Sequence, residues 1–101
     1  MISVKLEKID AETSAFNLYF DQDKIGEMVV NLSPTEMIVY HTEIDHSHEG
    51  KGYGLLLLDE MVNYARTNQM EVFPICEYVN QKFQSNPQAY SDIWKPSERE
   101  F

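Results

Sequence analysis

Glu49-Gly50-Lys51-Gly52-Tyr53-Gly54 is the stretch on which the fold turns, because the patterning changes across it. Three of the four glycines in the chain lie here, at alternate positions. Glycine accepts positive φ, and it lets a ligand approach the backbone without meeting a Cβ. A helical pattern follows at once: Leu55, Leu58, Met61, Val62 and Ala65 recur at helix spacing from Tyr53 to Thr67. Backbone N–H groups in such a turn converge at the positive end of the helix dipole, which is a ready site for a phosphate or pyrophosphate. Lys51 adds one mobile cation. A Walker A loop is excluded, since Gly54 is followed by Leu55-Leu56 where that loop needs Gly-Lys-Ser/Thr, and the dinucleotide fingerprint has a different glycine spacing. From the loop alone, a tight strand-to-helix turn with no ligand is an equally good reading.

Upstream of the loop the period is two. Ile2 to Ile9 and Ala15 to Phe20 alternate apolar and polar residues. Asp21-Gln22-Asp23-Lys24 reads as a turn, Ile25 to Leu32 as the return strand, Ser33-Pro34-Thr35 as a second turn and Met37 to Ile44 as another strand. This is an antiparallel meander. Downstream, Asn68 is placed to take a left-handed cap. Val72 to Cys76 reads as a short strand buried on both faces. A second helix is expected from about Glu77 to Ser85, with Val79 and Phe83 on one face and Asn86-Pro87 stopping it. The segment from about 91 to 101 is expected to be a loose tail, with Glu98-Arg99-Glu100 exposed. The class is α+β: a mostly antiparallel twisted sheet followed by a strand–helix–strand–helix half. The strand–helix–strand crossover makes those two strands parallel, or places them in one sheet with a right-handed connection.

The bulk numbers set the remaining bounds. A chain of 101 residues, 43% hydrophobic and 25% charged, fits one compact domain spanning 1–101, with no repeats and no linker. Its longest apolar run is Leu55 to Leu58, far short of a membrane span, and the first residues lack a signal-peptide pattern. The single cysteine, Cys76, has no internal disulfide partner. A cytoplasmic location is therefore expected. Eight basic against seventeen acidic residues give a net charge of −9, which disfavours nucleic acid and anionic membranes and suits a cationic partner. A monomer or a weak homodimer is expected. His41, Asp45, His46, His48 and Glu49 invite a metal reading, but His46-Ser47-His48 is too short and loop-like to define a site, so no metal is expected.

Glu49 to Gly54, after a strand and opening an amphipathic helix, resembles the acetyl-CoA signature of the GNAT acyltransferase superfamily, Gln/Arg-x-x-Gly-x-Gly/Ala, with Gly52 and Gly54 at the signature glycines. Glu49 departs from it, standing where Gln or Arg is usual. The ordered set His41-Thr42-Glu43-Ile44, Glu49 to Gly54, Pro74 to Val79, Asn86-Pro87 and Tyr90 is similar to a compact subfamily of about a hundred residues, the YjdJ-type or N-acetyltransferase domain-containing protein 1-like proteins. The resemblance implies acetyl-CoA (or CoA) as co-substrate. It implies that the backbone of Glu43, Ile44 and Asp45 pairs with the pantetheine arm, and that Glu49, Gly50, Lys51, Gly52, Tyr53, Gly54 and Leu55 hold the pyrophosphate. Cys76 and Tyr78 would line the thioester end. The implied activity is acetyl transfer to an amine of an unknown acceptor, with a non-catalytic acyl-CoA-binding module as the alternative.

Three residues are candidates for the chemistry. Cys76, near a helix start, could act as a thiolate nucleophile; the plainer reading is a small buried hydrophobe. Glu43 could act as a general base, with His41 on the same strand face; the plainer reading makes them sheet residues. Larger superfamily members carry a Tyr that protonates the leaving thiolate. Phe83 aligns with it and has no proton to give.

Overall fold

The computed structural model describes residues 1–96. Five strands form one sheet in sequence order: β1 (Ile2–Lys8), β2 (Thr13–Phe20), β3 (Asp23–Leu32), β4 (Glu36–Ile44) and β5 (Glu71–Pro74). The first four are antiparallel neighbours, and β5 runs parallel to β4. Helix α1 (Tyr53–Thr67) makes the β4–β5 crossover and α2 (Glu77–Ser85) follows β5. The expected α+β class therefore holds, as a mixed five-stranded sheet with two helices. The expected Asp21 to Lys24 turn is shorter than read: β3 already starts at Asp23, and Asp21 takes a φ of 53°.

Alternation on the strands assigns the faces. Phe16 and Leu18 on β2, Met28 and Val30 on β3, Met37 and Val39 on β4 and Val72 on β5 are buried in one continuous core. Leu57, Leu58, Met61, Val62 and Ala65 of α1 and Val79 and Phe83 of α2 complete it. Helix spacing puts Leu55 with Leu58 in that stripe. Leu55 and Leu56 are instead exposed, and Leu57 takes the buried position. The opposite sheet face is polar, and Glu7, Asn17, Tyr19, Lys24, Glu27 and His41 pair with one another across it.

Three local readings are corrected. The left-handed residue closing α1 is Gln69, with φ of 55°, while Asn68 stays at −98° and turns its side-chain amide back onto the Tyr64 carbonyl at 2.9 Å. The strand β5 runs Glu71–Pro74, ending two residues earlier than read, and is not buried on both faces: Val72 is buried but Phe73 is only half-buried, and Ile75, past its end, is 67% exposed. Pro74 has no N–H to continue a ladder, so the chain leaves the sheet there. In the segment from about 91 that was expected to be loose, the part up to Trp94 is held. Ile93 is buried and its carbonyl accepts the Val72 N–H at 2.7 Å, while Trp94 packs 5.5 Å from the Phe83 ring. Arg66 on α1 fastens this strap through Asp92 (2.8 Å) and the Ala89 carbonyl (2.5 Å). The expected Glu98-Arg99-Glu100 exposure lies outside the described residues. No helix among the described residues is long and apolar enough to cross a membrane.

Candidate functional site

The sheet opens at one place. The β4–β5 pairing runs only from Glu36–Glu71 to Val39–Pro74. One more bond, from the Cys76 N–H to the Val39 carbonyl at 2.8 Å, closes the apex. Beyond it β4 continues to Ile44 with its outer edge unpaired among the described residues. The register against β3 slips here: Val29 faces His41 and Val30 faces Val39, so Tyr40 is an extra residue. A bulge of this kind bends a strand and raises its twist, which turns β4 away from the line of β5. The Asp45 N–H is bonded to the Ile25 carbonyl on β3 at 2.8 Å. Alternation then turns the backbone of Thr42 and Ile44 toward the free edge and that of Glu43 and Asp45 toward β3. Of the three residues expected to offer backbone to a pantetheine arm, only Ile44 faces the opening; Thr42 is the other that does.

At the mouth of this V, Ile44, His48, Glu49, Gly50, Gly52, Tyr53, Gly54, Leu55 and Tyr78 line a cleft of about 300 Å³. Gly50 and Gly52 have φ of 78° and 80°, and Gly52 is the N-cap of α1. Each faces open space where a side chain would begin, so these glycines are required by backbone angle and not by crowding. The N–H groups of Gly50, Lys51, Gly52, Tyr53 and Gly54 have no acceptor among the described residues; the next, of Leu55, bonds the Gly52 carbonyl at 3.2 Å. A helix start always leaves donors orphaned, and here the glycine turn extends the array outward. Glu49 turns its carboxylate to His46 Nδ1 at 3.4 Å, and Lys51 makes no ion pair among the described residues.

Gly54 has a different reason to be glycine. A Cβ there would lie 3.0 Å from the Tyr78 hydroxyl, so the α2 tyrosine reaches the first turn of α1 only because that side chain is absent. Burial holds the Tyr78 phenol above its ordinary pKa, and the Asp59 carboxylate adds to this. Lys82, one turn along α2, places its ammonium over the Tyr78 ring at 5.6 Å. Sequence reading did not single out Lys82; its i, i+4 spacing from Tyr78 was the available signal.

Cys76 is the N-cap residue of α2 and only 4% exposed, with Sγ 3.3 Å from the Thr42 hydroxyl. It sits at the apex of the V. His41 and Glu43 do not join it. They lie on the opposite, polar face of β4, where Glu27 of β3 meets them, with His41 Nε2 3.4 Å from a Glu27 carboxylate oxygen. Glu27 was missed in the sequence because only the β3–β4 register pairs it with Glu43. Phe83 is fully buried, stacked on Tyr90 at 4.5 Å.

Comparison with known proteins gives the same frame. The family pattern described as GCN5-related N-acetyl-transferase matches residues 15–93. No curated protein sequence matches at a significant level. Among solved structures, a ribosomal-protein-alanine N-acetyltransferase from Brucella melitensis biovar Abortus 2308 is similar, with a TM-score of 0.65, 18% identity, and coverage of 76% of this chain and 62% of that one. A GNAT family acetyltransferase from Elizabethkingia anophelis, solved with acetyl-CoA bound, aligns with a TM-score of 0.60 at 9% identity over 70% of this chain and 62% of that one. A GCN5-like protein from Staphylococcus aureus, determined in solution, aligns with a TM-score of 0.62 at 17% identity over 90% of this chain and 87% of that one. The chain spans less than two thirds of the first two. These identities speak for the fold, and the family match covers most of the sequence: the chain belongs to the GCN5-related N-acetyltransferase (GNAT) family.

Proposed function

We propose that the protein binds acetyl-CoA in the V between β4 and α2 and transfers its acetyl group to an amine. The observation that carries this reading is the run of five free N–H groups from Gly50 to Gly54, at the start of a fifteen-residue helix and at the mouth of the strand opening. A pyrophosphate has the charge and the acceptors to use all of them. Lys51 and Lys82 supply the nearby cations. The pantetheine arm would run along the free edge of β4, taking the outward backbone of Ile44 and Thr42, with the thioester at the apex beside Cys76. Since Glu43 lies with His41 and Glu27 on the polar face, it could take the proton only from an amine that reaches the thioester through the opening from that side. Tyr78 would line the cofactor rather than protonate it, since its hydroxyl lies against the pyrophosphate loop.

Whether turnover runs directly or through Cys76 depends on access to a thiol that is nearly sealed. In the direct route the amine attacks the thioester carbonyl and CoA leaves as its thiolate. In the other, the Cys76 thiolate displaces CoA to give an acetyl-cysteine, which the amine then cleaves, restoring the thiol. A second reading, an acyl-CoA-binding module without efficient turnover, is favoured by Phe83, which sits where larger relatives carry a proton donor and is locked in the core. Incubation with acetyl-CoA followed by intact-mass measurement separates these. A +acetyl species that disappears in Cys76→Ala supports the covalent route. CoA release with amine and no adduct supports direct transfer. A CoA-dependent rise in melting temperature with neither supports the binding module. No thermal shift at saturating CoA or acetyl-CoA overturns the whole reading.

A further inference from the structure

The polar face of the sheet gathers three ligand-type side chains. Glu27 Oε2, His41 Nε2 and a Glu43 carboxylate oxygen all lie within 4.8 Å of one another. Lys24 takes the other Glu27 oxygen at 2.5 Å, which leaves Oε2 turned toward the histidine. Asn17, the direct cross-strand partner of Glu27, stands beside them on β2. Its side chain is only 8% exposed. Its amide nitrogen is committed to Glu7 on the β1 side, at 2.9 Å. The amide oxygen is sealed from solvent with no partner among the described residues. A buried acceptor without a donor costs about 1–3 kcal/mol, so an unpartnered one beside this cluster calls for an explanation.

We propose that Glu27, His41 and Glu43 form a divalent transition-metal site of the zinc class, beside the unpartnered Asn17 on the neighbouring strand. The donor set is one imidazole and two carboxylates, which suits Zn²⁺ or Co²⁺ better than Mg²⁺. Ligand bonds of about 2.0–2.2 Å in a tetrahedron put ligand atoms roughly 3.3–3.5 Å apart. The His41–Glu27 separation is already 3.4 Å. Glu43 is exposed, and its carboxylate lies within 4.8 Å of both, close enough for a side-chain rotation to complete the set. A depression of about 240 Å³ lined by Lys24, Gly26, Glu27, Glu43 and Asp45 leaves room for water as the fourth ligand. The metal compensates two carboxylates at once, where Lys24 reaches only one. The inference stands apart from acetyl transfer, although an occupied site would engage the same Glu43 carboxylate.

The test uses the full chain, stripped with a chelator and free of CoA. Co²⁺ titration is expected to give a visible d–d spectrum of tetrahedral intensity at one equivalent, displaced by Zn²⁺. Calorimetric Zn²⁺ affinity is expected to fall by about tenfold or more in both Glu27→Gln and His41→Ala. The double variant His46→Ala, His48→Ala is expected to keep full affinity. Circular dichroism checks that each variant is folded, and a folded Glu27→Asp that recovers part of the affinity separates ligation from packing. Absence of binding at millimolar Zn²⁺ overturns the proposal. So does affinity unchanged in His41→Ala, or affinity lost only with the His46 and His48 pair.

Discussion

Gly52 concentrates the cost and the use of the loop in one residue. Its φ of 80° is unfavourable for any residue with a Cβ, by roughly 1–2 kcal/mol, and nothing nearby would stop an alanine sterically. Gly52→Ala is therefore expected to lower stability by about 1 kcal/mol in urea unfolding. If the backbone flips to escape the strain, the N–H array breaks, and the CoA-induced rise in melting temperature should vanish with it. Gly26 fails differently. A Cβ there would meet Ile44 Cδ1 at 2.7 Å and the Glu43 carbonyl at 3.1 Å. Gly26→Ala should cost about 1–3 kcal/mol by overpacking and push the end of β4, so acetyl-CoA binding should weaken alongside stability. Phe83→Tyr tests the position that the family resemblance sets against an acid of larger members. The new hydroxyl would enter the stack with Tyr90 and Trp94, where burial without a partner costs about 1–3 kcal/mol. Melting temperature should fall and the rate of CoA release should not rise; a gain in rate would place this residue at the thioester after all.

Among the elements, legibility followed periodicity. The helix from Tyr53 to Thr67 and the helix from Glu77 to Ser85 are bounded in the sequence by a glycine turn and by Asn-Pro, and the structure has those bounds. The meander was readable because one face of each strand is buried and the other wet. What escaped depends on register or on contacts distant in sequence. Glu27 joins His41 and Glu43 only through the β3–β4 ladder, and the bulge at Tyr40 has no sequence mark. The short β5 looked doubly buried because Phe73, Pro74 and Ile75 are apolar, yet Ile75 faces solvent. The strap through Ile93 could not be read either, since its anchor is Arg66 on α1. That anchor gives a prediction with a pH signature. The Arg66 guanidinium, bonded to the Asp92 carboxyl, holds it below its ordinary pKa. A carboxyl depressed in the folded state stabilises above its unfolded pKa of about 3.9 and loses that contribution as pH falls through the folded value. Arg66→Ala should cost up to about 1 kcal/mol at pH 7, because the pair is well exposed. The gap to the parent protein should narrow below pH of about 3.9 without closing, since the bond to the Ala89 carbonyl does not titrate.

For the molecule as a whole, charge and site oppose each other. The chain carries −9, and CoA is itself a polyanion, so the long-range field repels the ligand proposed for the loop. In the proposed complex, attraction comes from the loop dipoles and from Lys51 and Lys82 near them, at short range where salt screens least. Repulsion comes from carboxylates spread over a molecule 43 × 31 × 21 Å in extent, larger in every direction than the Debye length of about 8 Å at physiological salt. Raising ionic strength should therefore remove more repulsion than attraction. The association rate for CoA is expected to increase between low and physiological salt, the reverse of a cationic phosphate site, while the dissociation rate changes little. Stopped-flow binding at several salt concentrations checks this. An association rate that falls with salt would mean that Lys51 and Lys82 dominate the approach, and Lys51→Ala should then restore the rising dependence.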